Sequence, residues 1–113
     1  MSVQNWSEDV ILAELQREPQ LGEELKTVID LTNDRGDCDV ILDFSGVDII
    51  TSPSLAKLLK LRQTLIDCGH RLILCSVCEF TKSAFRVTGL DGLFCLLDDR
   101  ATASAELGAS ASH

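Results

Sequence analysis

Asp39-Val-Ile-Leu-Asp-Phe-Ser-Gly-Val-Asp-Ile-Ile-Thr-Ser-Pro-Ser-Leu55 is the stretch that decides the fold. Its first part, Asp39 to Phe44, is short, apolar and rich in β-branched and aromatic side chains, and is bounded by Asp37 and by Ser45-Gly46. That pattern predicts a buried central strand. Ser52-Pro53 reads as a helix start, with serine as N-cap and proline at the first helical position, where its missing N–H leaves no bond unmade. The helix is expected from Pro53 to about Asp67, with Leu55, Leu58, Leu59, Leu65 and Ile66 on one face and Lys57, Lys60 and Arg62 toward water. Gly69 closes it.

Working outward, Val3 to Trp6 and the apolar run from Val10 to Ala13, separated by Ser7-Glu8-Asp9, predict an N-terminal hairpin. Pro19 then breaks the extended chain. Leu21, Leu25, Val28 and Ile29 share one face of a helix that ends near Gly36. Beyond the central helix, Arg71 to Cys75 is expected as a strand, Glu79 to Thr88 as a helix stopped by Gly89, and Leu93 to Leu97 as the last strand. Arg100 to Leu107 can form a short terminal helix. Strands alternating with helices at this spacing imply β-α-β crossovers. The expected fold is therefore α/β, or α+β by a stricter count: one domain over residues 1–107 with a mixed, mostly parallel central sheet, an N-terminal hairpin and about four helices, followed by a flexible C-terminal tail over 108–113.

Composition narrows the function classes. A chain of 113 residues with 45% hydrophobic and 25% charged residues suits one self-sufficient globular domain. The net charge of −8 disfavours nucleic acid and anionic membrane, which need a clustered basic surface. The start, Met-Ser-Val-Gln-Asn-Trp-Ser-Glu-Asp9, lacks the basic and apolar regions of a secretory signal, and no apolar run reaches the ~20 residues of a spanning helix. A cytoplasmic location is expected, without membrane insertion.

Five cysteines, at 38, 68, 75, 78 and 95, are an odd, scattered set that suits reduced thiols better than a disulfide framework. Cys75-Ser-Val-Cys78 has the spacing of half a zinc site, but no second pair completes it. The expectation is that Cys75 ends a buried strand and Cys78 begins a helix.

The raw material for catalysis is thin. Of two histidines, His113 is in the tail and His70 is in a helix-to-strand turn, where an exposed, structurally neutral role is expected. No triad and no glycine-rich phosphate loop is present. Asp43, Asp48, Asp98 and Asp99 read as solvated turn acids, not as a metal cluster. Neither an enzymatic role nor a cofactor is expected. The informative position is the Thr51-Ser52-Pro53-Ser54 turn, because partners of α/β proteins gather at strand-to-helix ends. Phosphate on Ser52 would add about −1.5 to −2 charges at a helix N-terminus, whereas a Ser52 that only caps the helix would be worth ~1 kcal/mol.

From Val3 to about Leu107 the order of elements resembles a STAS domain, the fold of bacterial anti-sigma-factor antagonists and of the cytosolic tails of sulfate transporters. The segment from Asp39 to Leu55 is similar to the family's strand, turn and Asp-Ser-[Ser/Thr]-Gly-Leu motif. Phe85-Arg-Val-Thr-Gly-Leu-Asp-Gly-Leu-Phe94 is similar to its Leu-x-x-[Thr/Ser]-Gly-Leu-x-x-x-[Phe/Ile] segment. Thr51 stands where the family has aspartate, Ser52 at the serine that the family's partner kinase phosphorylates, Pro53 at the following Ser/Thr, Ser54 at the glycine and Leu55 at the leucine. The resemblance implies binding of an anti-sigma factor with an ATPase-type serine kinase fold through Thr51, Ser52, Pro53, Ser54 and Lys57, weakened by phosphorylation of Ser52. The other reading that it leaves open is a constitutive STAS adaptor subunit of a signalling assembly or transport system, without a phospho-switch.

Overall fold

The computed structural model describes residues 2–7, 9–99, 102, 103 and 105. The N-terminal hairpin forms from β1 (Ser2–Ser7) and β2 (Val10–Glu14), antiparallel, with a register irregularity between Asn5 and Ser7. Six further elements follow in order: α1 (Gln20–Arg35), β3 (Asp39–Asp43), α2 (Ser52–Asp67), β4 (Leu72–Cys75), α3 (Glu79–Val87) and β5 (Cys95–Leu97). The sheet order is β1-β2-β3-β4-β5, and every pair from β2 to β5 is parallel. This is the expected mixed, mostly parallel α/β sheet with its hairpin edge.

The strands read as unbroken apolar runs because both faces are covered. Side chains alternate across the sheet with period two. One face carries Ile11, Ala13, Val40, Leu42, Leu72 and Leu74 into the main core, against Leu21, Leu25 and Val28 of α1, Leu58, Leu61 and Leu65 of α2, and Phe85 of α3. The opposite face, with Val10, Leu12, Ile41, Ile73 and Cys75, packs on Ala103. Gly36 ends α1 at φ 74°, donating its N–H to Thr32 O at 2.8 Å, in a left-handed conformation that costs glycine no Cβ clash.

Several expectations need correction. On α2 the buried stripe is Leu58, Leu61 and Leu65, while Leu55 and Leu59 are half-buried and Ile66 is 47% exposed. Three helices are complete among the described residues, and only 102, 103 and 105 of the expected terminal helix are described, all helical. The tail from Gly108 to His113 lies outside the described residues. The last strand begins at Cys95, two residues late, because Leu93 turns back onto Leu90 O at 3.0 Å and its own carbonyl accepts from Arg62 Nε at 2.7 Å. Phe94 is instead buried beside Phe85, with ring centroids 5.4 Å apart. Among the described residues no helix is long and apolar enough to cross a membrane.

Candidate functional site

The parallel register that sets Glu14 of β2 beside Asp43 of β3 also places the chain leaving each strand side by side. Leu15 N–H donates to Asp43 O at 3.0 Å, and a Cβ on Gly46 would stand 3.0 Å from Leu15 O, so the two loops pass as closely as backbone allows. The β3–α2 loop is folded by its own groups. Asp43 is buried, and its Oδ1 accepts the Ser45 N–H at 2.8 Å, so it braces the turn and is not the solvated acid expected from sequence. Val47 N–H closes back on Phe44 O at 2.9 Å.

The N-terminus of α2 corrects the capping assignment. Thr51, not Ser52, is the N-cap: its backbone is extended (φ −84°, ψ 163°) and its hydroxyl accepts the Ser54 N–H at 3.4 Å. Pro53 then falls within the first helical turn, where it removes no needed bond. Ser54 is buried, with Oγ 3.2 Å from Thr51 Oγ1, so it supports the turn from inside and offers no outward contact. Ser52 and Pro53 are exposed. The Ser52 hydroxyl makes no hydrogen bond among the described residues. Lys57, one turn on, is half-buried, with Nζ 3.3 Å from the point a Cβ on Gly22 would occupy, and has no ion pair among the described residues.

One residue of this cluster was missed by sequence reasoning. Glu18, from the loop between β2 and α1, accepts with Oε2 both the Thr51 N–H at 2.9 Å and the Thr51 hydroxyl at 2.7 Å. Burial pushes its carboxyl pKa up, but hydrogen bonds from Ser54, from the Thr51 side chain and backbone and from the Gly22 backbone outweigh that, and hold it below its ordinary value. The bond spans 33 residues. No local spacing announces it; only the strand pairing brings the loops together.

The same loop is tied from its other side by α3. Thr81 Oγ1 donates to Asp48 O at 3.1 Å, and the Cys78 sulfur lies 3.7 Å from Val47 O and 3.8 Å from Asp48 O. Cys75 ends β4 in the core and Cys78 precedes the first turn of α3, as expected from their apolar settings. Among the described residues no group of three or more His, Cys, Asp or Glu is placed to hold a metal. Asp48, Asp98 and Asp99 are exposed. His70 lies at the far end of the sheet, half-buried and 3.3 Å from Asp39 Oδ1 through Nδ1, and is therefore not the exposed histidine expected. Sequence reasoning found α3 but not its exposed apolar residues, Phe80 and Val87, which are 70% and 87% exposed.

Comparison with known proteins agrees with this architecture. The family model for the STAS domain matches residues 3–103. No match to a curated protein was found by sequence. Among solved structures, a candidate anti-sigma factor antagonist from Thermotoga maritima superposes with a TM-score of 0.77 at 21% identity, over 93% of this chain and 92% of that one. A sulfate transporter family protein from Wolinella succinogenes gives 0.77 at 18% identity, over 92% and 88%. The Bacillus cell fate determinant SpoIIAA, in its phosphorylated form, gives 0.70 at 16% identity, over 93% and 96%.

Proposed function

The chain belongs to the STAS domain family, and we propose that it is a protein-binding regulator of the anti-sigma-factor antagonist type, acting in the bacterial cytoplasm and catalysing nothing itself. Its partner is an anti-sigma factor with an ATPase-type serine kinase fold. It binds through Thr51, Ser52, Pro53 and Lys57, with Ser54 supporting the turn from within. Phosphorylation of Ser52 by that partner ends the complex, and with it the effect on transcription.

The observation that carries this reading is the division of labour at the start of α2. Capping is done by Thr51, so the exposed Ser52 hydroxyl has no structural task among the described residues. A phosphate there adds about −1.5 to −2 charges at the centre of the exposed turn. A penalty of ~1.4 kcal/mol already weakens a complex tenfold, and a like charge facing a docked surface costs at least that.

The test is a pull-down from the native host's lysate, with tagged wild type beside Ser52→Asp and Ser52→Ala. Wild type and Ser52→Ala should retain an ATPase-type kinase that Ser52→Asp loses by tenfold or more. Retention of no such kinase by wild type overturns the antagonist reading. One observation favours a second reading, a constitutive adaptor: Thr51, Pro53 and Ser54 stand in place of the motif's aspartate, Ser/Thr and glycine. Equal retention of one partner by wild type and Ser52→Asp selects it.

A further inference from the structure

Ser52 carries the modification in the reading above, and the residue before it is bound by a charged group from another loop. Oε2 of Glu18 binds both donors of Thr51, the residue immediately before Ser52, at 2.9 Å and 2.7 Å. Glu18 is followed by Pro19 and then by the first residue of α1, so the carboxylate that binds Thr51 sits two residues ahead of that helix. Gly22, in the first turn of that helix, donates to it as well.

We propose that Glu18 is the positioning residue through which the β2–α1 loop responds to the charge on Ser52: its carboxylate latches this loop to the start of α2 while Ser52 is unmodified, and phosphate on Ser52 releases it. The inference rests on the reading of Ser52 as the modified residue, and extends the responding surface to the loop from Gln16 to Pro19.

The charge and position of Glu18 support it. Glu18 is an anion at neutral pH, since its hydrogen bonds outweigh the effect of burial and hold its carboxyl below the ordinary range. Adjacent Cα atoms are ~3.8 Å apart, so a phosphate on Ser52 comes within roughly one Debye length, ~8 Å at physiological ionic strength, of that carboxylate. The two like charges repel, and the phosphate's acceptor oxygens compete for the Thr51 donors that the latch uses. The charged groups around Glu18 are of both signs. Arg17 is exposed beside it, Glu23 is exposed and Glu24 buried at the start of α1, the latter accepting the Gln16 N–H at 2.7 Å, and Lys57 of α2 lies against Gly22.

The test uses the full chain with phosphoserine installed at position 52, without kinase or partner, and reads backbone amide shifts and the Glu18 carboxyl titration by NMR. Phosphoserine should move the amides of Arg17, Glu18 and Gln20 to Gly22 along with that of Thr51, and raise the Glu18 pKa by about one unit, as a nearby like charge does. In Glu18→Gln, which keeps an acceptor oxygen but no charge, phosphoserine should move Thr51 and leave the β2–α1 loop unchanged. An unmoved loop or an unmoved Glu18 pKa in the phosphorylated wild type overturns the latch, as does an equal loop response in Glu18→Gln. Because no partner is present, the two fail separately: an unmoved loop overturns the latch and leaves the antagonist reading standing, whereas a failed pull-down overturns the reading of Ser52 on which the latch rests.

Discussion

At the amino end of the sheet, Asp39 opens β3 and its Oδ1 accepts the Arg71 N–H at 2.8 Å, with His70 Nδ1 3.3 Å away; its own N–H donates to Asp9 O at 2.7 Å. At the carboxyl end, Glu18 reaches Thr51 with two bonds of the same kind. Both are carboxylates taking up donors that strand and helix ends leave unmet. Their settings differ. The partners of Asp39 flank neighbouring strands that are already paired, so its bonds repeat what the sheet's register imposes. The partner of Glu18 is the first residue of a helix start, reached across open loops, with an exposed serine next to it. The acid at the first end reinforces contacts that strand pairing already makes, whereas the acid at the second joins two loops that no strand pairing holds.

The substitution that breaks the contrast altogether is Leu58→Ala. Leu58 is fully buried on the face of α2 that packs on the sheet, so its truncation leaves a cavity that both ends share. The expected loss is about 2–5 kcal/mol by urea unfolding, with the transition remaining cooperative. A loss below 1 kcal/mol, within the usual range for surface positions, would mean that α2 is held by its end contacts and not by the core.

The same burial logic explains how much of the molecule was legible in the sequence. β3 and α2 are dictated by local pattern, since Val40 to Leu42 can only be a covered strand and the leucines of α2 repeat at helical spacing. Which leucines face inward was not fully readable. Ile66 fits the helical stripe as well as Leu61 does, and only the position of the sheet decides that Leu61 is buried. The cap was misassigned for a related reason. Thr51 and Ser52 are both good N-caps ahead of proline, and the preference for Thr51 is accompanied by a hydrogen bond that it donates to a residue 33 positions away. Asp43 and His70 were taken for exposed groups because their partners, the Ser45 N–H and Asp39, come from a turn and a strand pairing that composition does not encode. What could be read was periodic; what could not was the set of contacts between loops.

A paired substitution sharpens the contrast at the helix start. Thr51→Ala removes the cap and the hydroxyl bond to Glu18, leaving only the backbone N–H bond, and should cost about 1–2 kcal/mol. Ser52→Ala, one residue on, removes neither and should stay within about 0.5 kcal/mol of wild type. Thermal and urea unfolding of the two variants side by side decide it. Equal losses would show that the hydroxyl of Ser52 shares the capping, and the division of labour on which the phospho-switch rests would be gone.

The smallest effect is also the most specific, because it isolates the charge of Glu18. Its folded pKa lies below the ordinary value of 4.5, so around that pH the unfolded chain binds more protons than the folded one, and stability rises with pH. The contribution is therefore complete above about 4.5 and is lost as the pH falls through the depressed folded value. Glu18→Gln keeps an acceptor near Thr51 but cannot titrate. The stability gap between wild type and this variant, measured in urea so that added salt does not screen the pair, should be constant from neutral pH to about pH 5 and should shrink on further acidification. All other carboxylates are common to both chains and cancel in the difference. A gap that stays flat into acid would show that the bonds to Thr51 depend on the oxygen and not on its charge. Phosphate on the neighbouring serine would then have no electrostatic hold on the loop, and the two ends of the sheet would differ only in what their acids touch.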